Sequence, residues 1–164
     1  MTRERATQVK MAPADIRQAH ELATKTLGHF AGHTGHYQNT WNSHFRGKLG
    51  EIACAKWLES NSVSIERLFE DLDRTQEVDI QLSPPLDKFI EIKTWDDSYW
   101  NDLGRCVPVA QIPQMSTKAD LVLWCTSPFK LSGDVTVTIA GWNSVDDILA
   151  SPKRFTGLKG RRKV

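Results

Sequence analysis

Asp79, Glu91 and Lys93 carry the strongest chemical signal in the sequence. EVDIQL and KFIEIKTW read as strands, and the SPPLD between them holds a proline pair that no central strand accommodates, so the segment is a hairpin. With Pro85 at the loop midpoint, symmetric pairing sets Leu82 opposite Lys88, Ile80 opposite Ile90 and Asp79 opposite Glu91. Alternation then puts Lys93 on the face of Glu91. Like charges directly opposed across an antiparallel pair are destabilising. A hard divalent cation such as Mg²⁺ turns that repulsion into coordination, because carboxylate oxygens are its natural ligands and one or two suffice. The arrangement depends on register, since a slip of one residue sends each side chain to the other face. The plainer alternative for Lys93 is a surface ion pair with Glu77, which the same register sets opposite it.

A second acid stands out upstream. Across FRGKLGEIACAKWLES, the residues Phe45, Leu49, Ile52, Ala53 and Trp57 form one apolar stripe and Cys54, Ala55 and Leu58 another, which predicts a helix buried on two faces. Glu51 sits at the end of the second stripe. Acids are almost never buried without a partner, and the bland outcome for Glu51 is solvent or a pair with Lys48 or Lys56.

The elements that must position these groups follow from pattern and punctuation. Pro13 opens a helix over ADIRQAHELATKTL that ends near Gly28, and HFAGHTGHYQNTWN reads as a loop. VSIERLF is a weaker strand, ADLVLWC a buried one and DVTVTIAGW a half-exposed one. VAQIPQMSTK is a short helix weakened by Pro113, and SVDDILAS a terminal helix capped by Ser144. This order predicts an α/β domain with a central sheet flanked by helices.

Composition bounds the rest. A chain of 164 residues, 40% hydrophobic and 25% charged, suits one compact domain. Three cysteines without CxxC spacing favour a reducing compartment. No apolar run nears the ~18 residues of a membrane span, and MTRERATQVK lacks a secretory apolar segment. The expectation is a cytoplasmic protein with no membrane partner and no organic cofactor. The net charge of +1 is uninformative, but its distribution is uneven. Residues 151–164 hold six basic groups and no acid, whereas Glu66 to Asp102 hold 11 acids against 4 bases. A cation at the acidic centre reconciles that surplus with a polyanionic partner bound through the tail.

Taken in order, Glu51 on a helix, Asp79 on one strand of a hairpin and Glu91-Ile92-Lys93 on the next resemble the PD-(D/E)XK nuclease superfamily, the restriction-endonuclease-like fold. GKLGEIACAKWL is similar to the helix with the family's first acid, EVDIQL to its Asp strand and FIEIKTW to its E-x-K strand. The resemblance covers about residues 46–125. Val78 stands where the family's name has proline, at a position that is not a ligand, and no QxxxY motif follows Lys93, since Met115 lies four residues after Gln111.

The resemblance implies a restriction-endonuclease-like central mixed sheet and a Mg²⁺-dependent DNA endonuclease in which Mn²⁺ substitutes. Asp79 and Glu91 would ligate the metal, with the Ile92 carbonyl as a further ligand. Glu51 would complete or orient the site, and Lys93 would position or activate the attacking water. Residues 46–150 would form the nuclease core; for residues 1–45, a helix and loop outside the resemblance, an arm for dimer or DNA contact is expected with a place in the core left open, and 151–164 form a basic tail. Double-strand cleavage from one site per chain calls for a homodimer, two successive nicks or a partner. The rivals are a structure-specific resolvase or nickase, and a catalytically idle nucleic-acid-binding module of a larger complex.

Contacts to DNA are expected from Lys48, from Lys159, Arg161, Arg162 and Lys163 in the tail, and from Trp95, whose face suits base stacking. Core packing is the commoner fate of a tryptophan. His29, His33, His36 and His44 crowd one segment, but Gly32 and Gly35 argue against a zinc-binding helix. Cys54 reads as a small core residue rather than a nucleophile.

Overall fold

The computed structural model describes residues 6–29, 40–73 and 77–153. His33 and His36, and the tail residues Lys159, Arg161, Arg162 and Lys163, lie outside the described residues.

The chain folds as β1 (Thr7–Lys10), α1 (Pro13–His29), α2 (Trp41–Ser60), β2 (Ile65–Glu66), β3 (Ile80–Leu82), β4 (Phe89–Asp96), α3 (Asp97–Leu103), α4 (Ile112–Lys118), β5 (Leu121–Ser127), β6 (Thr136–Ser144) and α5 (Val145–Ala150). The strands form one mixed six-stranded sheet in the order β1-β6-β5-β4-β3-β2. Only β4 and β5 are parallel, Glu91 pairing with Val122 and Lys93 with Trp124. A parallel pair needs a crossover, and α3 and α4 supply it.

The middle of the sheet is buried on both sides, which is why β5 reads as an unbroken apolar run. Leu123 and Cys125 join Ile90 and Ile92 of β4 and Leu49, Ile52 and Ala53 of α2 in the larger core. Val122 and Trp124 face the other way, onto Met115 of α4 and Val145 of α5. The two-faced burial expected of α2 holds, with Phe45, Leu49, Ile52, Ala53, Cys54, Ala55 and Leu58 all buried. Cys54 and Cys125 meet at 3.1 Å between their sulfurs, and burial, with Cys125 beside it, pushes the Cys54 thiol well up, consistent with a core role.

Helix α2 approaches β4 closely because position 50 is glycine. A Cβ there would lie 1.8 Å from Oγ1 and 3.0 Å from Cβ of Thr94, too near for rotation of the threonine to relieve. This contact fixes the height at which the next residue, Glu51, stands over the sheet.

Four expectations change. Helix α2 begins at Trp41 rather than Phe45, because Thr40 and Ser43 form a reciprocal cap with Ser43 in place of the usual Glu or Gln. The strand predicted over VSIERLF shrinks to Ile65–Glu66, followed by a 3₁₀ turn over Leu68–Glu70. Residues 97–103, not anticipated as regular structure, form α3 with Asp96 as its cap, the carboxylate accepting the Ser98 amide at 2.9 Å. The arm expected over residues 1–45 is, over residues 7–29, part of the same core: β1 pairs antiparallel with β6, and Ala19, Leu22 and Ala23 of α1 are buried with α2. No helix among the described residues is long and apolar enough to cross a membrane.

Candidate metal and phosphate site at the end of the β3–β4 ladder

The hairpin register is the expected one, with Ile80 opposite Ile90 and Gln81 opposite Phe89. The pair expected next, Asp79 with Glu91, lies beyond the ladder, although the two carboxylates are within electrostatic reach of each other. The ladder stops there for a reason visible in Asp79 itself. Its amide donates to the Ile90 carbonyl at 3.2 Å, and its carbonyl accepts from the Phe69 amide at 3.0 Å. Its Oδ2 accepts the Ile92 amide at 2.7 Å. In a continued ladder that amide would go to residue 78, so the side chain replaces main chain and lets β3 part from β4. The N–H and C=O of one strand residue point to the same neighbour, so the Ile92 carbonyl is also directed to the side of Asp79.

Glu91 lies buried on the α4 face of β4. Lys93 reaches back along the same strand to put Nζ 2.6 Å from Oε1. The expected alternative partner, Glu77, instead accepts from Gln114 Nε2 at 2.7 Å. A second lysine, absent from the sequence expectations, joins from α4: Lys118 Nζ lies 3.0 Å from Oε2 of Glu91 and donates to the Glu77 carbonyl at 2.6 Å. A signal for it exists in the topology. Parallel pairing of Glu91 with Val122 lays the residues just before β5 beside the start of β4, and Lys118 is three residues before Leu121.

Glu51 is buried, and Lys48, one turn earlier on α2, holds its Oε2 at 2.7 Å. The surface contact to DNA expected of Lys48 does not fit this placement. Its side chain is 7% exposed, close to the Phe69 carbonyl and 5.8 Å from the centre of the Phe69 ring. The amine therefore belongs to the carboxylate cluster. Trp95 is half-buried, and its indole N–H is buried with no hydrogen-bond partner among the described residues. His44 lies two turns before Glu51, and burial, with Lys48 beside it, lowers its pKa.

The electrostatics divide the two opposed acids. Burial, then the charges of Glu91 and Glu51, raise the pKa of Asp79 to about 8, against the smaller opposing pulls of the Ile92 amide and Lys48. Burial also pushes Glu91 up, but Lys93 and Lys118 outweigh it and leave Glu91 below the usual carboxylate range. At neutral pH one acid is poised to hold a proton and its neighbour is ionised.

The donor set fits a hard divalent cation. Oε2 of Glu91 is buried without a well-aligned hydrogen bond among the described residues, its 3.0 Å neighbour Lys118 acting as a counter-ion. Asp79 is a buried carboxylate whose ionised form is penalised by adjacent negative charge, which a cation would relieve. No cluster of three or more His, Cys, Asp or Glu arranged around one point occurs among the described residues. Mg²⁺ asks for less, one or two carboxylates with water and phosphate oxygens. The structure thus brings Asp79, Glu91, the Ile92 main chain and Lys93 together and sets Glu51 behind them, within electrostatic reach of Asp79. Comparison with protein-family models, with curated proteins and with solved structures finds no match to this chain.

Proposed function

We propose that the chain is a Mg²⁺-dependent DNA endonuclease of the PD-(D/E)XK type, its sheet a restriction-endonuclease-like one. The observation that carries the reading is the ladder end: Asp79, just past the last β3–β4 pair, holds the Ile92 amide at 2.7 Å within electrostatic reach of Glu91, and Lys93 Nζ lies 2.6 Å from Glu91. Asp79, Glu91 and the Ile92 carbonyl would hold the cation, and Mn²⁺ would substitute. Such a cation, when bound, supplies charge to stabilise the phosphorane-like transition state and acidifies a bound water.

The protein's own groups do the rest. Asp79 gives up its proton on loading, and its Oδ2 stays fixed by the Ile92 amide. Lys93 carries its ammonium beside Glu91, where it can donate to a phosphate oxygen as negative charge develops there and hold the attacking water in line. Glu51 orients rather than ligates: clamped by Lys48, it adds negative potential at Asp79 and favours a cation there. One such site per chain cuts one strand, so a double-strand break requires a homodimer, two successive nicks or a partner.

The direct test is incubation of purified protein with supercoiled plasmid in Mg²⁺ or EDTA, with Lys93→Ala as the control for contaminating nuclease. Nicking or linearisation that needs both the metal and Lys93 is the expected result. A second reading, a catalytically idle nucleic-acid-binding module, draws on the ammonium groups that flank both oxygens of Glu91, an arrangement a purely structural ion-pair network would also show. Absence of cleavage of duplex, junction and single-stranded DNA with any divalent metal would favour it. Cleavage confined to junctions would make the enzyme a resolvase.

A further inference from the structure

Glu77 is exposed, yet the crossover helix holds it at two points. Gln114 and Lys118 stand one turn apart on one face of α4. Gln114 Nε2 donates to the Glu77 carboxylate at 2.7 Å, and Lys118 Nζ donates to the Glu77 carbonyl at 2.6 Å. The same ammonium lies 3.0 Å from Oε2 of Glu91. One face of α4 therefore ties the main chain two residues before Asp79 to the acid on β4. This bridge stands where strand pairing stops, since the β3–β4 ladder ends at Ile80 and Ile90 and Glu77 and Val78 lie beyond it. The helix is itself seated: Met115, between Gln114 and Lys118, is 2% exposed and packs with Val122, Trp124 and Val145.

We propose that Gln114 and Lys118 are positioning residues: by holding Glu77 they fix the approach of the chain to Asp79 and so set how that carboxylate stands relative to Glu91. The inference rests on the reading of Asp79 and Glu91 as the cation site, and adds to it a helix that no part of the E-x-K motif contains. Asp79 has bonds of its own to β4, its amide donating to the Ile90 carbonyl and its Oδ2 accepting the Ile92 amide. A hold at one residue leaves the chain before it to swing about that point. A second hold two residues earlier, from a different element, removes the swing. With Val78 buried between them, the two polar holds fix the direction of the segment at both ends.

The test reads the segment and the cation separately, on the full chain. Hydrogen exchange of single amides, followed by NMR in EDTA, should be about tenfold faster at Ile92 in Gln114→Ala and in Lys118→Met, because the Ile92 N–H rests on Asp79 Oδ2. It should be unchanged at Leu82, whose N–H meets the Lys88 carbonyl at the other end of the hairpin. Lys118→Arg, which keeps a charged donor, should exchange at the wild-type rate. Equal acceleration at Ile92 and Leu82 would mean that the helix merely supports the fold, and no acceleration at Ile92 that the contacts are idle; either result overturns the proposal. Calorimetric titration of Mg²⁺ alone, without DNA, should show Gln114→Ala binding about tenfold more weakly than the wild type, the lower end of what loss of a group behind a metal ligand costs. Gln114→Ala serves here because it alters no charge, whereas Lys118→Met also changes the attraction of Glu91 for a cation. Wild-type affinity in Gln114→Ala would overturn the proposal and leave the cation site standing. No Mg²⁺ binding by the wild type would overturn the cation site itself, and the proposal with it.

Discussion

Asp79→Asn should stabilise the metal-free protein and abolish its response to metal. The folded pKa of about 8 lies above the ordinary aspartate value of about 3.9, so between these limits the folded chain holds a proton that the unfolded chain has released. Stability therefore falls as pH rises through that window, by up to about 1.4 kcal/mol per unit. At pH 7 this amounts to a penalty of about 4 kcal/mol, which vanishes near pH 4. Asparagine keeps an oxygen for the Ile92 amide and carries no charge beside Glu91 and Glu51. Because its own amide must also be buried, the expected gain is about 2–4 kcal/mol at pH 7, or a Tm rise of about 5–10 °C. Thermal melts in EDTA at pH 5 and pH 8 read the difference, which should grow with pH. A saturating cation, at about 100 times its Kd, should add about 2.7 kcal/mol to the wild type and nothing to the variant. A variant equally or less stable than wild type at pH 8, or one that melts higher with Mg²⁺ to the same extent, would refute the reasoning.

Gly50→Ala should cost about 1–3 kcal/mol in urea unfolding, since the added Cβ meets Thr94 at 1.8 Å from its hydroxyl. Thr94→Ala in the same chain should recover part of that loss, though the 3.0 Å contact with Cβ remains. Lys48→Met should destabilise by about 3–5 kcal/mol by leaving Glu51 buried without its ammonium, and Glu51→Gln should offset much of that in the double variant. Loss of DNA affinity by Lys48→Met at unchanged stability would instead return Lys48 to the surface. Lys93→Ala should reduce plasmid nicking at least about 100-fold with the circular dichroism spectrum unchanged. Retained nicking would remove Lys93 from the site.

The sequence discloses what is local. Register in the hairpin follows from a proline-fixed loop and an apolar alternation only a few residues away, so Ile80 opposite Ile90 is readable without tertiary information. The helix α2 is readable because both its faces are apolar. Less legible are contacts made across many residues. The strand β1 is four residues long and owes its existence to pairing with β6, so Thr7–Lys10 carries no pattern strong enough to announce it. The strand predicted over VSIERLF is cut short because the chain turns into a 3₁₀ turn, the Glu70 and Asp71 amides bonding back to the Arg67 and Leu68 carbonyls at 3.3 and 3.1 Å. Lys48 is misplaced for a related reason: a lysine beside an acid on a helix reads as solvent-exposed, and only the packing of α2 over Phe69 buries the pair.

Asp79 is where these threads join, because one residue both ends the ladder and supplies a carboxylate of the proposed cation site. Had β3 continued, the Ile92 amide and carbonyl would have been consumed by residue 78, and no main-chain oxygen would have been directed beside the carboxylates. By giving Oδ2 to that amide, Asp79 opens the sheet at the point where Glu91 and Lys93 project from β4. Its main chain, held by Ile90 on one side and Phe69 on the other, keeps the break from propagating. The Gly50–Thr94 approach then sets the height of α2 so that the charge of Glu51 reaches the opening. The cost of this design appears as the raised pKa of Asp79, a strain that hydrogen bonds alone do not remove and that a cation would.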